Sequence, residues 1–177
     1  MRRLFFALAV ALAAAQAAPA QEAPKAEVFG GYSYGGSGAH GWNGSAAVNF
    51  NRWLGLVADF GGQYTRLEEP GSSERIRTHT FLFGPRFSVR RHRRLTPFAH
   101  ALLGAAHTDS RAREAGLDLH FTDTSFAAAL GGGLDVRAGR RVSVRAFQLD
   151  YLRSQLFGGT QNKGRLAFGL VFDFGRR

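Results

Sequence analysis

The 177-residue chain contains no cysteine, so neither disulfide bonds nor thiolate chemistry can contribute to its structure or function. Acidic residues are also scarce, since 13 aspartates and glutamates stand against 23 lysines and arginines. After residue 20, no apolar run approaches the roughly 20 residues that a membrane-spanning helix requires. These absences exclude a disulfide-stabilised domain and a helical membrane protein.

The start of the chain has the features of an export signal. Arg2 and Arg3 precede an apolar run over 4–15, which is too short for a good transmembrane helix. Ala18-Pro19-Ala20 then provides a small-x-small cleavage site, and a second such site ends at Ala17. The predicted division of the chain is a Sec signal peptide over 1–20, a linker over 21–26 and one domain over 27–175.

The basic charge needs an explanation other than nucleic acid. Removal of Arg2 and Arg3 with the signal peptide lowers the formal charge from +10 to +8. In a cytosolic protein such a charge would indicate nucleic-acid binding. Export argues against that interpretation, and we predict no nucleic-acid partner.

The stretch over 165–174 alternates strictly between two kinds of residue. The large apolar ones are Leu166, Phe168, Leu170, Phe172 and Phe174, and between them stand Arg165, Ala167, Gly169, Val171 and Asp173. Successive side chains leave a strand on opposite faces, so the pattern predicts a β-strand. Its length suits a tilted strand that crosses a bilayer, with lipid on the bulky face and a narrow lumen on the other.

Seven further segments with related alternation precede this one. The eight predicted strands cover about 27–34, 43–50, 54–65, 75–89, 95–108, 123–137, 141–152 and 163–174. The connections between them alternate between long and short, as in outer-membrane barrels with long outer loops and short periplasmic turns. We therefore predict an all-β, eight-stranded antiparallel up-and-down transmembrane β-barrel with both termini in the periplasm.

Two irregularities are predicted within the strands. Pro85 cannot donate a ladder hydrogen bond, so we expect a local distortion there. In strand seven, continued alternation from Val142 would turn Phe147 into the lumen and Asp150 into lipid. One extra residue near Ala146 would form a β-bulge that reverses the parity.

The faces and turns of this barrel define three sets of candidate residues. The lipid-facing set is Phe60, Phe81, Phe83, Leu166, Phe168, Leu170, Phe172 and Phe174. The polar network of the lumen is Glu27, Asp59, Arg86, His100, Asp135, Arg145, Asp150, Arg165 and Asp173. The periplasmic basic rim, on the short turns, is Arg90, Arg91, Arg93, Arg94, Arg140 and Arg141.

The lumen charges are expected to form a plug. Unpaired charges in a dry interior are costly, so they should pair with one another. Eight strands enclose a lumen only just wide enough for side chains, which favours a salt-bridged plug over a selective pore. A soluble eight-stranded barrel is the rival fold, but its inward-facing phenylalanine rings would overfill that interior.

Four segments resemble a known family. They are Phe83-Gly84-Pro85-Arg86-Phe87 and the stretches over 97–104, 130–135 and 145–151. They are similar to motifs of the small eight-stranded outer-membrane β-barrels, such as the OmpA transmembrane domain and OmpX, over roughly 26–175. The resemblance implies an outer-membrane fold and location, but no single activity, because members serve as anchors, adhesins, protective proteins and lipid-modifying enzymes. Such barrels commonly end on an aromatic residue read by the assembly machinery, whereas here Phe174 is followed by Gly-Arg-Arg.

Motifs for chemistry are present but incomplete. Residues 36–41 match G-x-G-x-x-G, yet a dinucleotide site needs that turn to open a helix, and a β-hairpin is expected here. His79, His107 and His120 could approach one another near the outer rim as a weak metal site, but surface histidines are the simpler interpretation. His100, Ser143 and Asp150 are the parts available to a Ser-His-acid enzyme. We predict no cofactor, no metal and no catalytic residue.

The predicted function is structural or interactive at the cell surface. A lipid-modifying enzyme on the same barrel and a narrow channel are the alternatives. The expected partners are outer-membrane lipids and the assembly machinery, and the expected state is a monomer.

Overall fold

The computed structural model describes residues 23–69, 72–92, 94–114, 117–156 and 159–176. They form eight antiparallel strands, each paired with its sequence neighbours, and β1 pairs with β8 to close a barrel. The strands are β1 (Pro24–Gly35), β2 (His40–Asn49), β3 (Leu54–Glu69), β4 (Ser72–Ser88), β5 (Leu95–Glu114), β6 (Leu117–Arg137), β7 (Val142–Leu156) and β8 (Gly159–Arg176). The predicted all-β, eight-stranded barrel is confirmed. The predicted signal peptide over 1–20 lies outside the described residues.

The four connections at one end of the barrel, which we call the hairpin end, are shorter than predicted. The expected loops over 66–74, 109–122 and 153–162 are largely strand, because the ladders continue almost to the tips of the hairpins. The expected loop over 35–42 is reduced to a one-turn 3₁₀ helix over Gly36–Gly38. The polar composition suggested loops, but ladder hydrogen bonds are made by the backbone and do not require apolar side chains.

The opposite end, which we call the turn end, has the three short connections that were predicted. At the first of them, Asn51 Oδ1 accepts hydrogen bonds from the backbone N–H groups of Trp53 at 2.9 Å and Leu54 at 2.7 Å. This is an Asx-type turn, in which a side chain substitutes for a backbone acceptor. At the third, the N–H groups of Ala138 and Gly139 both donate to the Val142 carbonyl.

β7 contains a bulge at the predicted place. Its ladder with β8 shifts by one residue between Arg145 and Gln148, and its ladder with β6 shifts at the same height. Ala146 and Phe147 are both exposed on the outer surface, so the strand carries one extra outward residue. Gln148 and Asp150 are thereby returned to the interior, where both are buried.

The ladder between β4 and β5 is interrupted beside Pro85. Regular pairing runs to Phe83 opposite Leu103 and resumes at Arg86 opposite His100 in the same register. Because proline lacks an N–H, it cannot supply the missing rung. The expected distortion is therefore a local gap that leaves the facing of β4 unchanged.

Large apolar side chains occupy the outer surface of the barrel. Phe60, Phe81, Phe83, Phe168, Leu170, Phe172 and Phe174, all expected to face lipid, are exposed there. Leu166 also points outward but is half-buried between its ladder partners Tyr34 and Leu149. The outer surface thus carries a continuous apolar band.

Aromatic residues edge this band at both ends. At the hairpin end, Trp42 Nε1 donates to Tyr64 Oη at 3.3 Å, and the His79 ring meets Tyr64 edge-on at 5.9 Å between centroids. At the turn end, Trp53 stacks on Phe87 with centroids 6.2 Å apart. From Trp53 to Tyr64, β3 covers roughly 36 Å, or about 28 Å along the barrel axis at a tilt near 40°. That height matches the hydrocarbon core of a bilayer, which is about 30 Å thick.

Replacing Leu170 with arginine should destabilise the barrel by about 2–4 kcal/mol, because a charge near the middle of the band would lie in hydrocarbon. Gln155→Arg is the matched control, since Gln155 is exposed on β7 near the hairpin end, beyond the band. Urea unfolding in phospholipid vesicles measures both changes. Unfolding midpoints equal to the parent's in both variants would contradict a lipid-facing band.

Deleting Ala146 should leave a folded barrel, because removal of the extra residue restores strict alternation with Arg145 and Gln148 both inward. Deleting Leu149 is the matched control. It leaves no arrangement of β7 that keeps both Gln148 and Asp150 inside, so folding should fail. The folded fraction is read from the heat-modifiable mobility shift in SDS gels. Failure of the Ala146 deletion alone would mean that the bulge is required for more than parity.

Candidate functional site

The lumen contains an ion-pair cluster near the turn end. Arg86 bridges two carboxylates, since its Nη1 donates to Glu27 Oε2 at 2.7 Å and its Nη2 to Asp135 Oδ2 at 2.9 Å. Arg145 holds Asp135 from the other side through Nε at 2.8 Å and Nη2 at 3.2 Å. Arg90 donates to the second oxygen of Glu27. Each of these side chains is at most 6% exposed.

A second cluster lies beside the first, further into the barrel. Arg165 Nη2 donates to Asp59 Oδ1 and to Asp150 Oδ2, both at 2.7 Å. His100 Nε2 lies 2.8 Å from Asp150 Oδ1. Asn43 Nδ2 donates to both carboxylate oxygens of Asp59, at 3.1 and 3.0 Å. These side chains extend from five different strands, so the cluster ties the wall together across the lumen.

Gln148 joins the two clusters. Its Oε1 accepts a hydrogen bond from Arg145 Nη1 at 2.5 Å, and its Nε2 donates to Asp150 Oδ2 at 2.8 Å. Four carboxylates and four guanidinium groups therefore belong to one connected network. Their formal charges cancel, which meets the requirement that buried charges be paired and hydrogen-bonded.

Two phenylalanine rings pack against the arginines of the turn-end cluster. The guanidinium carbon of Arg145 lies 4.1 Å from the ring centroid of Phe29 and 4.4 Å from that of Phe98, and Arg86 lies 4.2 Å from Phe98. Desolvated cation–π contacts contribute about 2 kcal/mol. Phe29 was not among the predicted lumen residues. The available signal was its parity, since it shares a face of β1 with Glu27.

Small apolar side chains fill the rest of the interior. One buried cluster consists of Ala47, Val57, Leu82, Leu102, Ala106, Ala127 and Ala129. A second consists of Phe29, Ala167 and Val171. The middle of the lumen is therefore packed with side chains, as the geometry of an eight-stranded barrel requires.

Glycine makes room for the network at two positions on the wall. A Cβ atom at Gly131 would lie 2.0 Å from Asp150 Oδ1, and one at Gly61 would lie 2.7 Å from Arg165 Nη1. Any larger residue would therefore displace an ion-paired side chain. The inward glycines are part of how the lumen accommodates its long charged residues.

Two predicted site residues have a different place in the structure. Arg90, expected on the basic rim, turns into the lumen, where its side chain is 6% exposed beside Glu27 and its Nη1 donates to the Arg52 carbonyl at 2.7 Å. Asp173, expected in the lumen network, lies half-buried near the turn end and pairs with the partly exposed Arg137 at 3.6 Å. A surplus carboxylate at Glu27 draws Arg90 inward, whereas Asp173 sits where water can solvate it.

The remaining predicted rim residues lie at the turn end. Arg91, Arg94, Arg140 and Arg141 are exposed there, and Arg93 lies outside the described residues. The other eight predicted network residues, apart from Asp173, are joined in the lumen by the contacts given above. Asn43, Asn49 and Gln148 also belong to it, and their polar side chains at inward positions were the signal for them.

The arrangement around His100 does not form a nucleophile–base–acid array. His100 and Asp150 are paired, but Ser143 lies seven residues before Asp150 on β7, about 20 Å along the strand. Ser143 is opposite Arg137, whereas His100 is opposite Gly131. The three residues are therefore not brought together as one site.

The structure also separates the other motif candidates. His79 and His107 are ladder neighbours on β4 and β5, but His120 lies further toward the hairpin end and contacts Asp109. Among the described residues, no group of three or more histidine, aspartate and glutamate side chains could hold a metal ion. The G-x-G-x-x-G stretch forms the first hairpin connection. Within the described ranges, no helix is long and apolar enough to cross a membrane.

Replacing Arg165 with alanine should cost about 3–5 kcal/mol, because it leaves two buried carboxylates without their cation. In the Asp59→Asn background the same change should cost less, since one of those carboxylates is then neutral. Arg91→Ala, at an exposed position, should change stability by no more than about 0.5 kcal/mol. Urea unfolding of the four variants gives the coupling energy. Strict additivity would contradict a direct Arg165–Asp59 interaction.

Comparison with known proteins identifies the family. Residues 5–174 match the model of the outer membrane protein beta-barrel domain. No curated protein sequence matches the chain. In structure the chain is similar to Ail, the attachment invasion locus protein of Yersinia pestis, with a TM-score of 0.66 and 20% identity over 86% of this chain and 99% of Ail.

Two further solved barrels are similar. Neisserial surface protein A matches with a TM-score of 0.56 and 12% identity over 84% of this chain and 96% of that one. The N-terminal barrel of Pseudomonas aeruginosa OprF matches with a TM-score of 0.54 and 14% identity over 87% and 100%. Ail has also been solved in complex with the heparin analogue sucrose octasulfate. At these identities the solved structures establish the fold, and the family match over nearly the whole chain establishes that this protein belongs to the outer-membrane protein β-barrel family.

Proposed function

We propose that this barrel is a plugged scaffold that presents its hairpins at the bacterial surface, in a structural or interactive role. The observation that carries the proposal is the connected network of four carboxylates and four guanidinium groups across the lumen. A lumen filled in this way supports neither a wide aqueous path nor an accessible catalytic base. The exposed hairpins then remain as the part of the molecule available to partners.

The proposed orientation places the hairpin end outside the cell and the turn end in the periplasm, as in other barrels of this class. The Sec signal peptide over 1–20 would be removed on export, followed by the linker over 21–26 and the barrel domain over 27–175. The outer-membrane assembly machinery would insert the barrel as a monomer. Arg91, Arg94, Arg140 and Arg141 would then form a basic rim against the inner leaflet.

The absence of cysteine gives a direct test of this orientation. Single cysteines at Gln155 and at Arg140 can be labelled on intact cells with a membrane-impermeant maleimide. Labelling at Gln155 but not at Arg140 supports the proposal, and the reverse pattern overturns it. Intact mass of the purified protein locates the cleavage site.

In planar bilayers the parent protein should show no stable stepwise conductance, because the lumen network closes the barrel. A combined Arg86→Ala and Arg145→Ala variant, if it folds, should conduct, because it loses two guanidinium groups from the turn-end cluster. Arg91→Ala and Arg141→Ala together are the matched control, with the same charge change at exposed positions. Steady conductance in the parent would favour the channel alternative.

The enzyme alternative is tested in cells. Mass spectra of lipid A from strains with and without the protein should be the same if the barrel has no lipid-modifying activity. A new mass dependent on His100 or Asp150 would replace the scaffold proposal with an enzymatic one.

A further inference from the structure

Three arginines lie side by side on the outer surface near the hairpin end. Arg66 on β3 is the ladder partner of Arg75 on β4, and Arg75 is the ladder partner of Arg111 on β5. All three side chains are exposed. Neighbouring strands are about 4.8 Å apart, so this arginine row spans about 10 Å across the barrel wall.

The surroundings of the row leave it strongly positive. Arg77 lies two residues from Arg75 on the same face of β4 and is opposite Asp109. Asp109 is the printed carboxylate partner at this level, with Oδ1 at 3.4 Å from Arg111 Nε and Oδ2 at 2.6 Å from His120 Nε2. The hydrogen bond with His120 holds the pKa of Asp109 below its ordinary value, so this carboxylate stays charged. One carboxylate thus stands among four arginines.

Such a row is unfavourable unless an anion approaches it. Like charges directly opposite one another on adjacent strands are destabilising. Here the repulsion occurs at two successive rungs of the same ladder level. Guanidinium groups are planar forks that bind phosphate oxygens through paired hydrogen bonds, which makes a phosphate group the chemical complement of the row.

The position of the row selects the source of that anion. Arg66 follows Tyr64 on the same face of β3, about 5 Å further along the barrel axis, and Tyr64 belongs to the aromatic edge of the apolar band. The row therefore points sideways, in the plane where lipid head groups meet the barrel wall. A soluble polyanion would instead be expected to bind arginines that point away from the membrane at the hairpin tips.

We propose that Arg66, Arg75 and Arg111 form a lateral binding site for the phosphate groups of a phosphorylated lipid in the leaflet at the hairpin end. The site binds head groups whose acyl chains lie against the apolar band below it. It would hold the barrel at a fixed depth and a preferred lipid at its wall. Which leaflet this is rests on the proposed orientation, but lipid binding by the purified barrel does not.

The test is a titration of the folded barrel in detergent with diphosphorylated lipid A, read as bound lipid by native mass spectrometry. Arg75→Gln, at the centre of the row, should weaken binding about fivefold, because an arginine near an anionic lipid contributes about 1 kcal/mol. Arg75→Lys should keep part of the affinity. Arg153→Gln is the matched control, since Arg153 is exposed on the same outer face of β7, away from the row.

Several outcomes decide the proposal. A dephosphorylated lipid A should bind the parent and Arg75→Gln equally, and high salt should remove the difference between them. Equal losses in Arg75→Gln and Arg153→Gln would overturn the site in favour of general charge attraction. Row-dependent binding of soluble sucrose octasulfate without row-dependent lipid binding would overturn the lipid assignment. The mobility shift in SDS gels confirms that each variant is folded before titration.

Discussion

Charge compensation in a narrow lumen is the constraint on which this structure depends. Closing eight strands into a barrel leaves an interior that side chains must fill, and this chain fills it partly with charge. No single pair would suffice, because each buried carboxylate has more acceptor sites than one guanidinium can satisfy. The solution is a network in which Arg86 and Arg165 each bridge two acids. The network then requires every contributing strand to keep its facing, so the lumen sets the register of the wall.

The bulge in β7 is a consequence of that requirement. Arg145 contacts Asp135 near the turn end, whereas Asp150 contacts Arg165 further in, and five residues separate them along the strand. An odd separation places two residues of a regular strand on opposite faces. One extra residue at Ala146 corrects the parity without disturbing either contact. The defect in the ladder is thus less costly than exposing Asp150 to hydrocarbon or leaving Arg165 unpaired.

Parity explains which features could be predicted from the sequence. Strand number, closure and the bulge follow from alternation, because a misplaced charge or ring is costly enough to be informative. The extent of the hairpins does not follow, because above the band both faces of a strand can be polar. Nor does the place of Arg90, which lies in a turn without parity and is drawn inward by Glu27. The packing of Phe29 against Arg145 was missed for a third reason, since bulky rings were assigned to lipid without considering an arginine as their partner.

The same residue type therefore has two physical situations in this protein. Inside the barrel, arginines are fixed by carboxylates and rings at short distances, and their free energy is part of stability. On the outer wall, Arg66, Arg75 and Arg111 are aligned with one another, and a ligand rather than the fold must supply their counter-charge. A change in the lumen should consequently alter unfolding before it alters any interaction at the surface. A change in the row should do the opposite, because repulsion among exposed cations is relieved when one is removed. This separation lets a closed barrel vary its surface chemistry while its interior remains constrained.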